Sequence, residues 1–145
     1  QAFAYSFVRD GRKVVYATDN EIDLDLVDRQ STLDDLALPR QVPAHLAEFC
    51  RNADLLIADG QYTDQEYPSK TGWGHSRATT LVDLALAAGV RQLAVFHHDP
   101  LQSDQDVAEK IEACRQRASR LNADLVVFGA REGVELRLDT EQRKS

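Results

Sequence analysis

The chain of 145 residues has no methionine, one tryptophan, two cysteines and four prolines. Each scarcity excludes something. Cys50 and Cys114 show no metal-binding spacing and fall in segments of helical pattern, so they read as reduced, buried small hydrophobes rather than as a disulfide. No apolar run approaches the roughly 18 residues that span a bilayer, and the first residues carry no signal-peptide pattern. A cytoplasmic protein with no membrane partner is the expectation. Basic residues are also short: 17 Lys and Arg against 24 Asp and Glu leave a net charge of −7 and a pI near 5.0. That balance argues against a broad nucleic-acid surface. The missing methionine, with a start at Gln1-Ala2-Phe3 already in a strand-like pattern, leads to the expectation of a fragment or processed product.

What is present suits one globular domain over residues 1–145, with 43% hydrophobic and 28% charged residues. Ala2 to Val8 alternates, with Phe3, Tyr5 and Phe7 on one face, and Lys13 to Thr18 is a second β-rich run. Asp10-Gly11 between them predicts a hairpin with a type I′ turn. Ile22 to Arg40 holds five aspartates and no sustained period, which predicts a long loop with one helical turn near Leu33 to Leu38. Pro43 to Asn52 predicts a short helix with Leu46, Phe49 and Cys50 facing inward.

Asp54 to Gly60 then reads as a buried strand ending in Asp59, and Gln61 to Gly74 as a site-forming loop. His75 and Ser76 open an Ala/Leu-rich helix to about Ala88, with Ser76 as N-cap and Gly89 as the C′ residue. Gln92 to Phe96 is the next strand. A helix starts at Ser103 with one stripe of Val107, Ile111, Cys114, Ala118 and Leu121. Asp124 to Gly129 is a further buried strand, Gly133 to Leu138 an alternating one, and Glu141 to Ser145 a frayed tail. Strand-helix alternation after an opening hairpin implies a mixed α/β layer structure.

The chemistry concentrates at strand ends. Leu93-Ala94-Val95-Phe96 passes directly into His97-His98-Asp99-Pro100, and other strands end at Asp19 and Asp59. Ligands bind outside the carboxyl ends of strands in α/β sheets, and carboxylate with imidazole suits zinc, iron or manganese. A histidine before a helix N-terminus, as His75 is here, can meet an anion and donate a proton to it. Each group also has an ordinary role: turn former for the aspartates, hydrogen-bonded structural residue for the histidine pair, surface residue for His75.

Taken in order, Val14-Val15-Tyr16-Ala17-Thr18-Asp19, Asp54-Leu55-Leu56-Ile57-Ala58-Asp59, Gly74-His75-Ser76 and Leu93 to Pro100 resemble the C-terminal half of metallo-β-lactamase-fold hydrolases. The likeness is to the phosphodiesterase-like branch, which includes tRNA 3′-end-processing endonucleases and cyclic phosphodiesterases. It covers roughly Ala2 to Leu138 and rests on the order and spacing of the motifs, chiefly the step from His75 to His97 across one helix and one strand. It implies a mixed sheet flanked by helices, half of an α/β/β/α sandwich whose N-terminal half is absent.

The resemblance also implies roles. Asp19 bridges two divalent ions (zinc, manganese or iron) and His97 ligates one of them. His75 contacts the scissile phosphate or leaving group and Asp59 orients it. His98, Asp99 and Ser76 stand behind the ligands or face the substrate. The implied substrate is a small phosphodiester such as a cyclic nucleotide. Ala58 replaces the histidine that precedes the acidic residue in the endonuclease branch, which counts against tRNA processing.

The family's His-x-His-x-Asp-His motif is missing, since the only histidines are His45, read as a surface residue, His75, His97 and His98. The chain alone is therefore expected to bind metal weakly or not at all and to be inactive. Its exposed sheet face should recruit the absent half or a second copy. The competing reading is a non-catalytic regulatory or binding module derived from the same fold. A third, an unrelated receiver-like domain, explains neither the hairpin nor the pairing of His75 with His97.

Overall fold

A computed structural model describes residues 2–27 and 38–138. Strands β1 (Ala4–Arg9) and β2 (Arg12–Ala17) form the hairpin. Its turn has φ of 50° at Asp10 and 72° at Gly11, the paired positive values of a type I′ turn. From β2 the sheet continues in parallel through β3 (Leu55–Asp59), β4 (Gln92–Phe96) and β5 (Val126–Gly129), in the spatial order β1-β2-β3-β4-β5. Helices α1 (Ala44–Cys50), α2 (Ala78–Ala88) and α3 (Asp104–Arg120) make the three crossovers.

Because the strand order advances in one direction, crossovers of one hand put every helix on the same face. α1 packs on α2 and α2 on α3. The sheet registers show the result. Val15, Leu56, Leu93 and Val127 lie side by side facing the helices, and none exceeds 3% exposure. The row on the other face is Tyr5, Tyr16, Ile57, Ala94 and Phe128, where Tyr5 is 55% exposed and Phe7 on the same strand 61%. The sheet is therefore apolar on both faces, and the helices cover one.

Local chemistry explains the helix ends. Ser103 and Asp106 form a reciprocal capping box at the start of α3, and Ile111, Cys114 and Ala118 are its buried stripe. Gly89 ends α2 in the left-handed conformation, its N–H bonded to Ala85 and Leu86 carbonyls. Ion pairs join the helix layer as well. Asp83 of α2 accepts from Arg117 of α3 at 2.9 Å and from Arg40 at 3.1 Å, and all three are buried. No helix among the described residues is long and apolar enough to cross a membrane.

Several expectations are corrected. Gly133 to Leu138 alternates but pairs with no strand among the described residues and is mostly exposed, because alternation permits pairing without supplying a neighbour. Phe49 is 37% exposed rather than inward. A 3-10 turn occupies Ile22–Asp25, inside the stretch read as loop. The helical turn near Leu33 to Leu38 falls almost wholly outside the described residues, and the Glu141 to Ser145 tail lies entirely outside them.

Candidate active site

Three neighbouring parallel strands deliver Asp19, Asp59 and His97 to one edge. Ala17 pairs with Ala58 and Asp59 with Phe96, so the residues at or just after the three ends are brought together by register alone. Asp19 and His97 have φ of 50° and 60°, a left-handed conformation that Asp and His tolerate better than most residues. The chain thus reverses where these side chains are presented. His75 arrives from the loop between β3 and α2, which a bridge between Tyr62 and Arg77 holds against the sheet edge.

Asp19, Asp59, His75 and His97 each offer a donor atom within 4.8 Å of the others. Asp59 is 1% exposed. It accepts from His75 Nδ1 at 2.5 Å through Oδ2 and from the Gln61 backbone N–H at 3.2 Å through Oδ1. Burial pushes its pKa up, against the lowering effect of His75. Both Asp59 oxygens are thus engaged, and the bond to His75 Nδ1 leaves Nε2 of that ring without this partner. His97 Nε2 lies 3.4 Å from Asp19 Oδ1, with 37% and 65% of the two side chains exposed. Both side chains are open to solvent, and an imidazole nitrogen beside a carboxylate oxygen fits zinc, manganese or iron.

Ser76 is no helix cap. The helix begins at Ala78 behind Arg77, and the Ser76 hydroxyl donates to the Asn20 carbonyl at 2.6 Å while accepting the Ile22 N–H at 2.9 Å. It ties the Asp19 loop to the His75 loop. The expected anion site at the helix N-terminus is also absent, because Asp23 occupies it, accepting from the Arg77 N–H at 2.8 Å and from the Thr80 hydroxyl at 2.6 Å.

His98 turns away from the group, its ring nitrogens shielded from solvent and Nε2 facing Gly129 of β5. Burial first, then Lys110, holds its pKa below the usual histidine value. His98 is thus packed against Gly129 of β5 rather than open to solvent. Asp99 stands behind His97, accepting the Leu101 N–H at 2.9 Å.

Two residues that local reading of the sequence passed over shape the site. Glu21, 7% exposed, accepts at 2.7 Å each from the Tyr67 hydroxyl and the backbone N–H groups of Gly72 and Gly74. Both glycines have positive φ, so Glu21 folds the turn that precedes His75. Asp23 fixes the residues that follow it. The only available signal was the run of carboxylates after β2, and their partners lie some fifty residues on.

Comparison with known proteins gives the same architecture. No protein-family model matches the chain. Ribonuclease Z from Thermoplasma volcanium is 30% identical over 97 residues, covering 67% of this chain and 25% of that protein. Ribonuclease Z from Brevibacillus brevis is 30% identical over 96 residues, 66% of this chain and 24% of that protein. Ribonuclease Z from Pseudomonas putida is 37% identical over 79 residues, 52% of this chain and 24% of that protein. The chain thus spans about a quarter of the length of these relatives. Among solved structures, the metallo-β-lactamase fold protein YhfI from Bacillus subtilis superposes with a TM-score of 0.55 at 17% identity, covering 86% of this chain and 40% of that one.

Proposed function

From a chain that has the metallo-β-lactamase fold over part of that fold's length, we propose that the protein carrying it is a metal-dependent phosphodiester hydrolase whose C-terminal catalytic edge lies here. The observation that carries this reading is the convergence of Asp19, Asp59, His75 and His97 from three strand ends and one loop. Asp19 and His97 would hold the metal, with the remaining donors supplied from elsewhere in the protein. Bound divalent ions activate water and stabilise charge on phosphoryl oxygens. His75, its Nδ1 held by Asp59, presents Nε2 to the leaving oxygen and hands it a proton.

The substrate proposed is a small phosphodiester such as a cyclic nucleotide. The net charge of −7 and Ala58 support that choice. RNA is the second reading, favoured by the relatives named Ribonuclease Z. The test is turnover by the protein that contains these residues, supplied with zinc or manganese, on a cyclic nucleotide and on a structured RNA with a 3′ extension. Turnover of the cyclic nucleotide alone supports the first reading, and cleavage of the RNA alone transfers the assignment to the second. No metal-dependent turnover of either supports the non-catalytic module. The two buried cysteines accord with a cytoplasmic setting.

The exposed aromatic side chains of β1, Tyr5 and Phe7, are proposed to seat the rest of the hydrolase domain or, without it, a second copy of this chain. Sedimentation should show self-association of the 145 residues, together with binding of a hydrophobic dye. A strict monomer with little dye binding contradicts this.

A further inference from the structure

Gln61 lies beside the site and has no assigned role. It is 8% exposed and its side chain spans the space between Asp99 and His97. Nε2 is 3.3 Å from Asp99 Oδ2, and Oε1 is 3.2 Å from His97 Nδ1. Its backbone is pinned on both sides, since its N–H donates to Asp59 and its carbonyl accepts from Lys110 Nζ at 2.8 Å and from Gln102 Nε2 at 3.3 Å. With its backbone fixed and each end of the amide against a partner, the freedom left is which end faces which.

That last freedom is removed by Asp99. A carboxylate at neutral pH only accepts hydrogen bonds, so the amide must present its NH2 group to Asp99. Its carbonyl oxygen then faces His97, and a carbonyl oxygen likewise only accepts. The proton between Gln61 and His97 has to come from Nδ1. In the neutral ring this leaves the Nε2 lone pair pointing at Asp19 Oδ1, 3.4 Å away. Two electron-pair donors face each other across a gap suited to a cation.

We propose that Gln61 is a positioning residue that, oriented by Asp99, holds His97 in the Nδ1–H tautomer and so keeps Nε2 free as a donor. Without this chain of hydrogen bonds, Asp19 would draw the proton to Nε2 and close the donor pair on itself. The hydrogen on a ligating histidine is commonly set by the partner of its other nitrogen. Here the partner is an amide whose direction is dictated one residue further back. Only the consequence for metal binding rests on the function proposed above; the tautomer does not.

The test is long-range proton–nitrogen NMR of the metal-free 145-residue chain labelled at histidine nitrogen, at about pH 8.5, where an ordinary imidazole is neutral. His97→Gln assigns the signals. The wild-type chain should show His97 predominantly as Nδ1–H. Gln61→Leu should shift it toward Nε2–H. Asp99→Asn, which lets the amide turn over, should give a mixture, and it carries the test if Gln61→Leu fails to fold. A wild-type His97 in the Nε2–H form overturns the proposal, as does an unchanged tautomer in both Gln61→Leu and Asp99→Asn. Zinc titration of the same samples answers the separate question: an intact tautomer preference with no zinc bound counts against the metal reading and leaves the role of Gln61 standing.

Discussion

The imidazole rings of His75 and His97 stack with centroids 4.7 Å apart and planes 19° from parallel. One ring is held from behind by Asp59 and the other faces Asp19. The stack sets the two rings face to face at one sheet edge, where the proposed function assigns His75 to the leaving group and His97 to the metal.

Asp59→Asn should leave the fold intact and lower kcat about 10²- to 10⁴-fold, the usual contribution of a positioned general acid. The variant keeps the shape but loses the anion that orients His75. Steady-state kinetics of the protein that contains these residues check this, with circular dichroism as the fold control. A kcat unchanged on a substrate with a poor leaving group would contradict the assigned role.

Gly60→Ala should destabilise the chain by about 1–3 kcal/mol. A Cβ there would sit 2.7 Å from Val95 Cγ1 and 3.0 Å from both Ala78 Cα and Leu81 Cδ1. The backbone of α2 cannot yield by a rotamer change, so the strain passes to Asp59 and Gln61 on either side. Urea unfolding measures the loss.

Asp83→Ala should cost about 3–5 kcal/mol, because it leaves the buried guanidinium groups of Arg40 and Arg117 without the carboxylate between them. Thermal unfolding should fall by roughly 10 °C for a chain of this size. A loss within about 1 kcal/mol would mean that water reaches the cluster.

Stability should pass through a maximum near pH 9. Burial lowers the pKa of Lys110 from 10.5 to about 8, so between those values the folded chain holds fewer protons than the unfolded one. Its contribution is present in full above 10.5 and is lost as pH falls through 8. Cys50 and Cys114 act in the opposite sense. Burial raises them from 9.0 to about 11 and about 12, so their contribution is intact below pH 9 and lost above it. Melting curves between about pH 7.5 and 10.5 should rise and then fall, and Lys110→Met should remove the rise alone. A wild-type chain whose stability falls steadily from pH 8 contradicts this.

The sequence made legible whatever depends on neighbours along the chain. Asp10-Gly11 sets its turn, Ser103 and Asp106 cap their helix, and Asp59 and His97 mark strand ends by contrast with the apolar run before them. Ser76 misled because its hydroxyl is spent on Asn20 and Ile22 of a distant loop, while the capping carboxylate comes from Asp23. Glu21 was invisible for the same reason: its partners at Tyr67, Gly72 and Gly74 are met only once the β2 and β3 loops are side by side. Gln61 reads as an ordinary loop residue until Asp99 and His97 flank it.

Asp19 and His97 are proposed to hold a divalent metal ion in the protein that contains them. Zinc titration of that protein by calorimetry, against Asp19→Asn, His97→Ala and His45→Ala, tests it most directly. At least a tenfold loss of affinity, about 1.4 kcal/mol or more, is expected for each of the first two and none for His45→Ala. Unchanged zinc affinity and stoichiometry in both Asp19→Asn and His97→Ala would contradict it.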